Sequence, residues 1–306
     1  MTQHVIPALL LLSMLLIVIA GVRAEESLPI DLATELEPMD EFPVPVDSLE
    51  EFIQSYYALL DSETYIRQFG FIDQNANVIH NAAPRLNSFF GKLMRLRNGD
   101  PATLTIFQIG DSHIKPGYLS TTTRTSLLKF FEPDAAWENA RLRYQFFGVN
   151  GASYYNLTPN EKLFSRCREL KPDLVVISLG TNDAQGNYNA DNFRKSMRNF
   201  MAKLNAAVPD AIVLFTLPPD SVKKGTHNPD VPKVGAEIID YAIAQGYAWW
   251  DMYAVMGGKN SIKEWFRRDL ASKDKVHFSP QGYMLQGSLF YHALMHGYKR
   301  LSEGNN

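Results

Sequence analysis

Apolar positions fall into two spacings along this chain, and their alternation predicts its architecture. Leu86, Phe89, Phe90, Leu93 and Leu96 recur at helical spacing and stop at Asn98-Gly99-Asp100, a helix end. The next apolar stretch, LTIFQI at residues 104–109, is short and β-rich and reads as a strand. Helical TTRTSLLKFF, extended RLRYQFFGVNG and helical NEKLFSRCREL follow, then the apolar run at residues 174–179. Helical DNFRKSMRNFMAKLNAAV precedes a second run at 211–216, and helical PKVGAEIIDYAIAQ precedes a short strand near 248–251. A last helix is expected over residues 281–298. Apolar strands bounded by Gly, Pro and Asp and separated by helices are buried on both faces. The predicted fold is therefore α/β, a three-layer α/β/α sandwich around a central parallel sheet. Functional residues of such a sheet collect at the carboxyl ends of its strands.

Ahead of the first helix the pattern changes twice. Residues 5–22 form an unbroken apolar run ending in Val22-Arg23-Ala24, which suits a signal-peptidase site. Residues 1–24 thus read as an export signal or, since the run is long enough to span a bilayer, as an anchor. Either places the rest of the chain outside the cytoplasm, in a periplasm, with residues 5–22 as an inner-membrane tether if retained. Residues 25–47 are acidic, carry Pro29, Pro38, Pro43 and Pro45, and have no apolar period, as in a linker. Asp47 and Ser48 then open a helical pattern through Phe52, Ile53, Tyr56, Tyr57 and Leu60. Residues 48–100 are expected as a helical segment packed on the core, residues 101–300 as the main domain and 301–306 as a tail.

Composition narrows the function classes. With 306 residues, 45% of them hydrophobic and 21% charged, the chain can bury a sizeable core. A formal net charge of -3 and a pI near 6.2 supply no basic surface for nucleic acid. The single cysteine, Cys167, rules out an internal disulfide and sits on the helical LFSRCREL pattern as a small core residue.

Three strand ends carry polar, turn-forming residues: Gly110-Asp111-Ser112-His113, Gly148-Val149-Asn150-Gly151 and Gly180-Thr181-Asn182-Asp183. All three are expected on one edge of the sheet. Asp274-Lys275-Val276-His277 lies just before the last helix. A serine needs a base within hydrogen-bond reach to act as a nucleophile, and His277 is the candidate. Asp274, three residues earlier, is placed to hold the imidazole in one tautomer. The backbone N–H groups of Ser112 and Gly151 and the side-chain amide of Asn182 are the candidate donors to an oxyanion. Gly151 is expected to let the backbone approach closely.

In that order, GDSH, GVNG, GTND and DKVHF resemble the four blocks of the SGNH (GDSL-like) hydrolase superfamily, over residues 103–298. The resemblance implies a flavodoxin-like α/β/α fold, with Ser112 as nucleophile, Gly151 and Asn182 in the oxyanion hole, and Asp274 with His277 completing the triad. His113 stands where the common pattern has leucine. That histidine, and the tail from Trp250 to Tyr298, are similar to bacterial peptidoglycan O-acetylesterases and O-acetyltransferases. The blocks follow one another with ordinary loops, which argues against an inserted carbohydrate-binding module.

Other features have plainer readings. Asp111 is expected to stabilise its own turn. His113 either contacts substrate or orients its loop. His292 and His296 lie one helical turn apart but lack a local acidic or cysteine partner, so no metal site is expected. Trp249, Trp250, Tyr253, Trp265 and Phe266 are core residues by default, with one or two available to stack on a sugar. The loop at 218–232 either lines a cleft or is a solvated connector. No G-x-S-x-G and no phosphate-binding loop occurs, and the mechanism needs neither metal nor cofactor. The expected activity is an exported serine esterase that removes O-acetyl groups from an envelope polysaccharide, peptidoglycan above all. An O-acetyltransferase sharing the acyl-enzyme, or a non-catalytic glycan-binding protein, are the alternatives.

Overall fold

The computed structural model describes residues 62–80, 85–136 and 138–304, together with Leu49 and Ile53. The leader at 1–24, the linker at 25–47 and most of the helical pattern at 48–60 lie outside the described residues. Leu49 and Ile53 are helical and pack in a small buried cluster with Met284.

A six-stranded sheet forms the middle layer. Its strands are β1 (Ile79–His80), β2 (Leu104–Gly110), β3 (Leu142–Gly148), β4 (Leu174–Ser178), β5 (Ile212–Thr216) and, after a two-stranded hairpin β6 (Val222–Lys223) and β7 (Thr226–His227), β8 (Ala248–Trp250). The spatial order is β1-β8-β5-β4-β2-β3. All neighbours are parallel except β1, which pairs antiparallel with β8 at the edge. Counted along the chain, the parallel strands run 2-1-3-4-5, the flavodoxin-like order with its switch point between β2 and β4. The β1 edge strand has only two residues, too short for a period-2 signal in the sequence.

Alternation along the strands divides the core in two. Leu104, Ile106, Leu174, Val176 and Leu214 face one layer of helices; Phe107, Ile109, Val175, Ile177, Val213 and Phe215 face the other. Both sets are buried, and this is why the strands read as continuous apolar runs. The first layer holds α1 (Ser62–Arg67), α2 (Arg85–Arg97), α3 (Tyr118–Phe131), α10 (Ser261–Arg267) and α11 (Pro280–Ser302). The second holds α4 (Tyr154–Leu157), α5 (Glu161–Leu170), α7 (Ala190–Ala207) and α8 (Val231–Gln245). The short α6 (Thr181–Gln185) and α9 (Met252–Val255) lie at strand ends. Asn160 and Asn189 cap α5 and α7 through their side chains, and Ser279 with Pro280 starts α11. α11 runs on to Ser302, past the predicted start of the tail. Cys167 is fully buried within the second layer. Among the described residues no helix is long and apolar enough to cross a membrane.

Register decides where the chemistry goes. Gly110 stands level with Gly148 on one side and Ser178 on the other. The three polar strand ends therefore leave the sheet together, on either side of the switch point. A Cβ on Gly148 would lie 2.2 Å from the backbone nitrogen of Lys115, so only glycine lets the β3 end pass beneath the turn that carries Ser112.

Candidate active site

The turn after β2 is built on Asp111. Its carbonyl accepts the N–H groups of Ile114 and Lys115, each at 3.0 Å, and its Oδ1 accepts the N–H of His113 at 2.9 Å. This winds the chain tightly and leaves the Ser112 side chain partly exposed. Ser112 Oγ lies 2.9 Å from His277 Nε2, and His277 Nδ1 lies 2.7 Å from Asp274 Oδ2. Ser112, His277 and Asp274 thus form one continuous hydrogen-bonded chain across two distant segments.

The loop supplying the acid and imidazole is closed by its own carboxylate. Asp274 Oδ1 accepts the backbone N–H groups of Val276 at 2.9 Å and His277 at 3.0 Å, while Lys275 takes a left-handed φ of 53° to turn the corner. Burial opposes ionisation of Asp274. The hydrogen bonds from the His277 ring and the two amides outweigh it, holding the carboxyl well below the usual carboxylate range. An ionised Asp274 accepts from Nδ1–H and leaves Nε2 as the lone-pair nitrogen facing the serine hydroxyl.

The three oxyanion candidates have distinct settings. Among the described residues, neither the Ser112 nor the Gly151 backbone N–H has an acceptor. Gly151 has φ +70°, and a Cβ there would meet nothing within 4 Å. No protein atom crowds the position, and its left-handed backbone conformation is the one that favours glycine. Asn182 sits in the first turn of α6 and is not its cap; Gly180, at φ +123°, is the N-cap. Its Nδ2 donates to the Ala152 carbonyl at 2.9 Å and more weakly to Asp111 Oδ2 at 3.3 Å. The amide is therefore oriented by both neighbouring strand ends.

His113 departs from the expected substrate contact. It is only 6% exposed, and both ring nitrogens are bound within the protein, Nδ1 to Asp111 Oδ1 at 2.9 Å and Nε2 to the Val276 carbonyl at 3.0 Å. No ring nitrogen is left for a ligand, and the loop-orienting alternative fits instead.

The 218–232 loop is no solvated connector. Asp220, Ser221 and Asn228 are fully buried, and its β6–β7 hairpin ties α6 to the acid-base loop. Gln185 Nε2 donates to Ser221 Oγ and the Val222 carbonyl at 3.1 Å each, and the Val222 N–H donates to the Lys275 carbonyl at 2.9 Å. Asp220 Oδ1 also pairs with His227 Nδ1 at 2.9 Å. Sequence reasoning also missed Gln108, a buried polar residue inside an apolar strand. Its side chain accepts from Ser120 Oγ and Tyr144 Oη and donates to Ser178 Oγ, linking β2, β3, β4 and α3 just below the turn. Of the aromatic set, Trp250 and Trp265 are buried, whereas Trp249, Tyr253 and Phe266 are partly exposed and Trp249 stacks on His80. A cavity of about 30 Å³ beneath the turn is lined by Asp111, His113, Ser178, Thr216 and Gln286. No cluster of metal-ligating side chains occurs among the described residues.

A flavodoxin-like sheet with a hydroxyl, an imidazole and a carboxylate in series at its switch point defines an α/β/α hydrolase of the acyl-transfer type. The chain belongs to the GDSL-like lipase/acylhydrolase family, whose model matches residues 109–285, and it is an ester hydrolase of that kind. Among solved structures it is similar to a peptidoglycan O-acetylesterase, at 17% identity and a TM-score of 0.61 over 72% of this chain and 97% of that one. It is also similar to a two-domain esterase active on acetylated mannans, at 17% identity and a TM-score of 0.53 over 74% of this chain and 57% of that one. At these identities the likeness is one of fold. No curated protein sequence matches the chain.

Proposed function

We propose that the protein is an exported serine esterase that removes O-acetyl groups from a cell-envelope polysaccharide, peptidoglycan in the first place. The observation that carries the catalytic part is the unbroken chain from Ser112 Oγ through His277 to Asp274, at 2.9 and 2.7 Å. In this reading Ser112 Oγ attacks the acetyl carbonyl while His277 Nε2 takes its proton and Asp274 holds the ring. The oxyanion is met by the backbone N–H groups of Ser112 and Gly151 and by the Asn182 amide, whose 3.3 Å bond to Asp111 is the weaker one to give up. His277 returns the proton to the departing sugar oxygen, then activates the water that releases acetate. The apolar run at residues 5–22 supports export, and the GDSH block and C-terminal resemblance support the acetylated-glycan substrate.

Acetate release from O-acetylated peptidoglycan, from acetylated mannan and from a small acetyl ester tests the reading. Ser112→Ala is expected to lower kcat by about 10³-fold or more on every substrate. Wild-type turnover by that variant would remove Ser112 as nucleophile. Acetyl transfer to an added sugar acceptor exceeding acetate release would replace hydrolysis by transfer.

A further inference from the structure

Both ring nitrogens of His113 face atoms that can only accept. On one side is Asp111 Oδ1, on the other the Val276 carbonyl. A neutral imidazole has one N–H and would turn a lone pair towards one of these at 3.0 Å or less. Asp111 cannot supply the missing proton. Its Oδ1 already accepts the His113 backbone N–H and its Oδ2 the Asn182 amide, so both oxygens are placed as acceptors. The remaining neighbours come from two elements. The acid-base loop presents the His277 ring, stacked at 5.3 Å and 24°, the Phe278 ring and the charge of Asp274. Helix α11 presents Tyr283 edge-on at 5.9 Å, its phenol kept neutral by burial.

We propose that His113 is a buried imidazolium that acts as a positioning residue, tethering the turn of Ser112 to the loop of Asp274 and His277 and setting a fixed positive charge against the base. Burial works against the charge, but Asp111, the Val276 carbonyl and Asp274 together outweigh it and raise the basicity of the ring above that of a free histidine. One proton more or less on His113 decides whether the Val276 carbonyl, next to His277 in the chain, is held. In the substrate-free site the same residue also reaches the Asn182 amide through Asp111. A leucine at this position makes neither bond.

The role rests on the serine-esterase reading, but the proton state does not. Nitrogen-15 correlation spectra of the histidine rings in the intact wild-type protein test it directly, with His113 assigned by the signals lost in His113→Gln. Protons on both ring nitrogens at pH 7.5 are expected; a single neutral tautomer at that pH overturns the proposal. Kinetics on a small acetyl ester test the role. In His113→Gln, kcat is expected to fall about tenfold to a hundredfold with KM within about twofold. The acid limb of its kcat/KM profile is expected to move upward by about one pH unit, as loss of a charge roughly 5 Å from the base requires. A limb that stays in place would reduce His113 to packing and overturn the role. Should Ser112→Ala keep wild-type activity, the esterase reading fails, whereas the ring spectra still decide the charge on His113.

Discussion

Asp183→Asn is expected to flatten the pH dependence of stability. Asp183 follows Asn182 on α6, with its Oδ2 buried and without a hydrogen-bond partner among the described residues. Burial pushes its carboxyl up from 3.8 to about 7, helped by the charge of Asp111 and opposed by the backbone amides of Tyr154 and Asp183 itself. The folded protein therefore holds a proton that the unfolded chain releases near pH 4. Such a group favours folding at low pH, and the advantage is lost as pH rises through the two values. Against the fully protonated limit this residue costs the folded state about 1.5 kcal/mol at pH 5, where it must hold a proton the unfolded chain has released, and about 4 kcal/mol at pH 8, where the buried carboxylate is ionised, so the wild type should lose about 2.5 kcal/mol between them from this residue alone. Other acids titrate equally in both proteins and cancel. Urea unfolding at pH 5 and pH 8 measures the difference, roughly 1 M in relative midpoint for an m-value of about 2–3 kcal/mol/M. Variant and wild type changing in parallel, within about 0.5 kcal/mol, would refute a protonated Asp183.

Two further perturbations probe the frame around the site. Gly148→Ala drives a methyl to within 2.2 Å of the Lys115 nitrogen, so the Ser112 turn must shift; we expect about 3 kcal/mol lost in urea unfolding and a fall in kcat/KM on a small acetyl ester. Unchanged activity and stability would mean that the two strand ends are not in contact. Cys167 is fully buried, and burial pushes its thiol up to about 12, so an aromatic disulfide reagent at pH 8 should label it only as the protein unfolds in urea. Labelling in the absence of denaturant would contradict its place in the core.

Much of this architecture was legible because both sheet faces are covered. Strands such as 174–178 then lose their alternation and read as bare apolar runs, and their boundaries were found to within about a residue. Three of the four blocks were legible for a related reason: short turns at the same ends of neighbouring parallel strands meet on one edge, and the fourth, Asp274 to Phe278, was legible from its acid and histidine spacing ahead of the last helix. What stayed hidden depends on pairing across distance. A two-residue edge strand, the hairpin inside 218–232 and the Gln108 network have no periodicity of their own. Their meaning comes from partners elsewhere in the chain, 12 to 70 residues away for Gln108 and 169 to 171 for the edge strand. His113 was visible as a departure from leucine, but whether its nitrogens face solvent or protein depends on Val276, 163 residues further on.

The acid-base loop poses a problem that these distant contacts solve. Asp274 and His277 are about half exposed, at 49% and 41% of their side chains, and they lie on a loop with a strained left-handed residue between them. Left alone, such a loop would sample many positions of Nε2, and an error of about 1 Å can cost a hundredfold in rate. Three consecutive residues are instead anchored on three different supports. The Lys275 carbonyl accepts from Val222 of the hairpin, the Val276 carbonyl from His113, and the His277 carbonyl from the N–H of Ser272 across the base of the loop. The two side chains stay open to solvent while the backbone that carries them is held by hydrogen bonds. The hairpin also grips α6 through Gln185, which connects the loop of His277 to the helix that carries Asn182, while His113 reaches Asn182 only through the weaker 3.3 Å contact of Asp111. In the proposed mechanism, Ser112 and His277 are then held relative to one another by protein contacts that do not wait for substrate, which is the condition for electrostatic preorganisation.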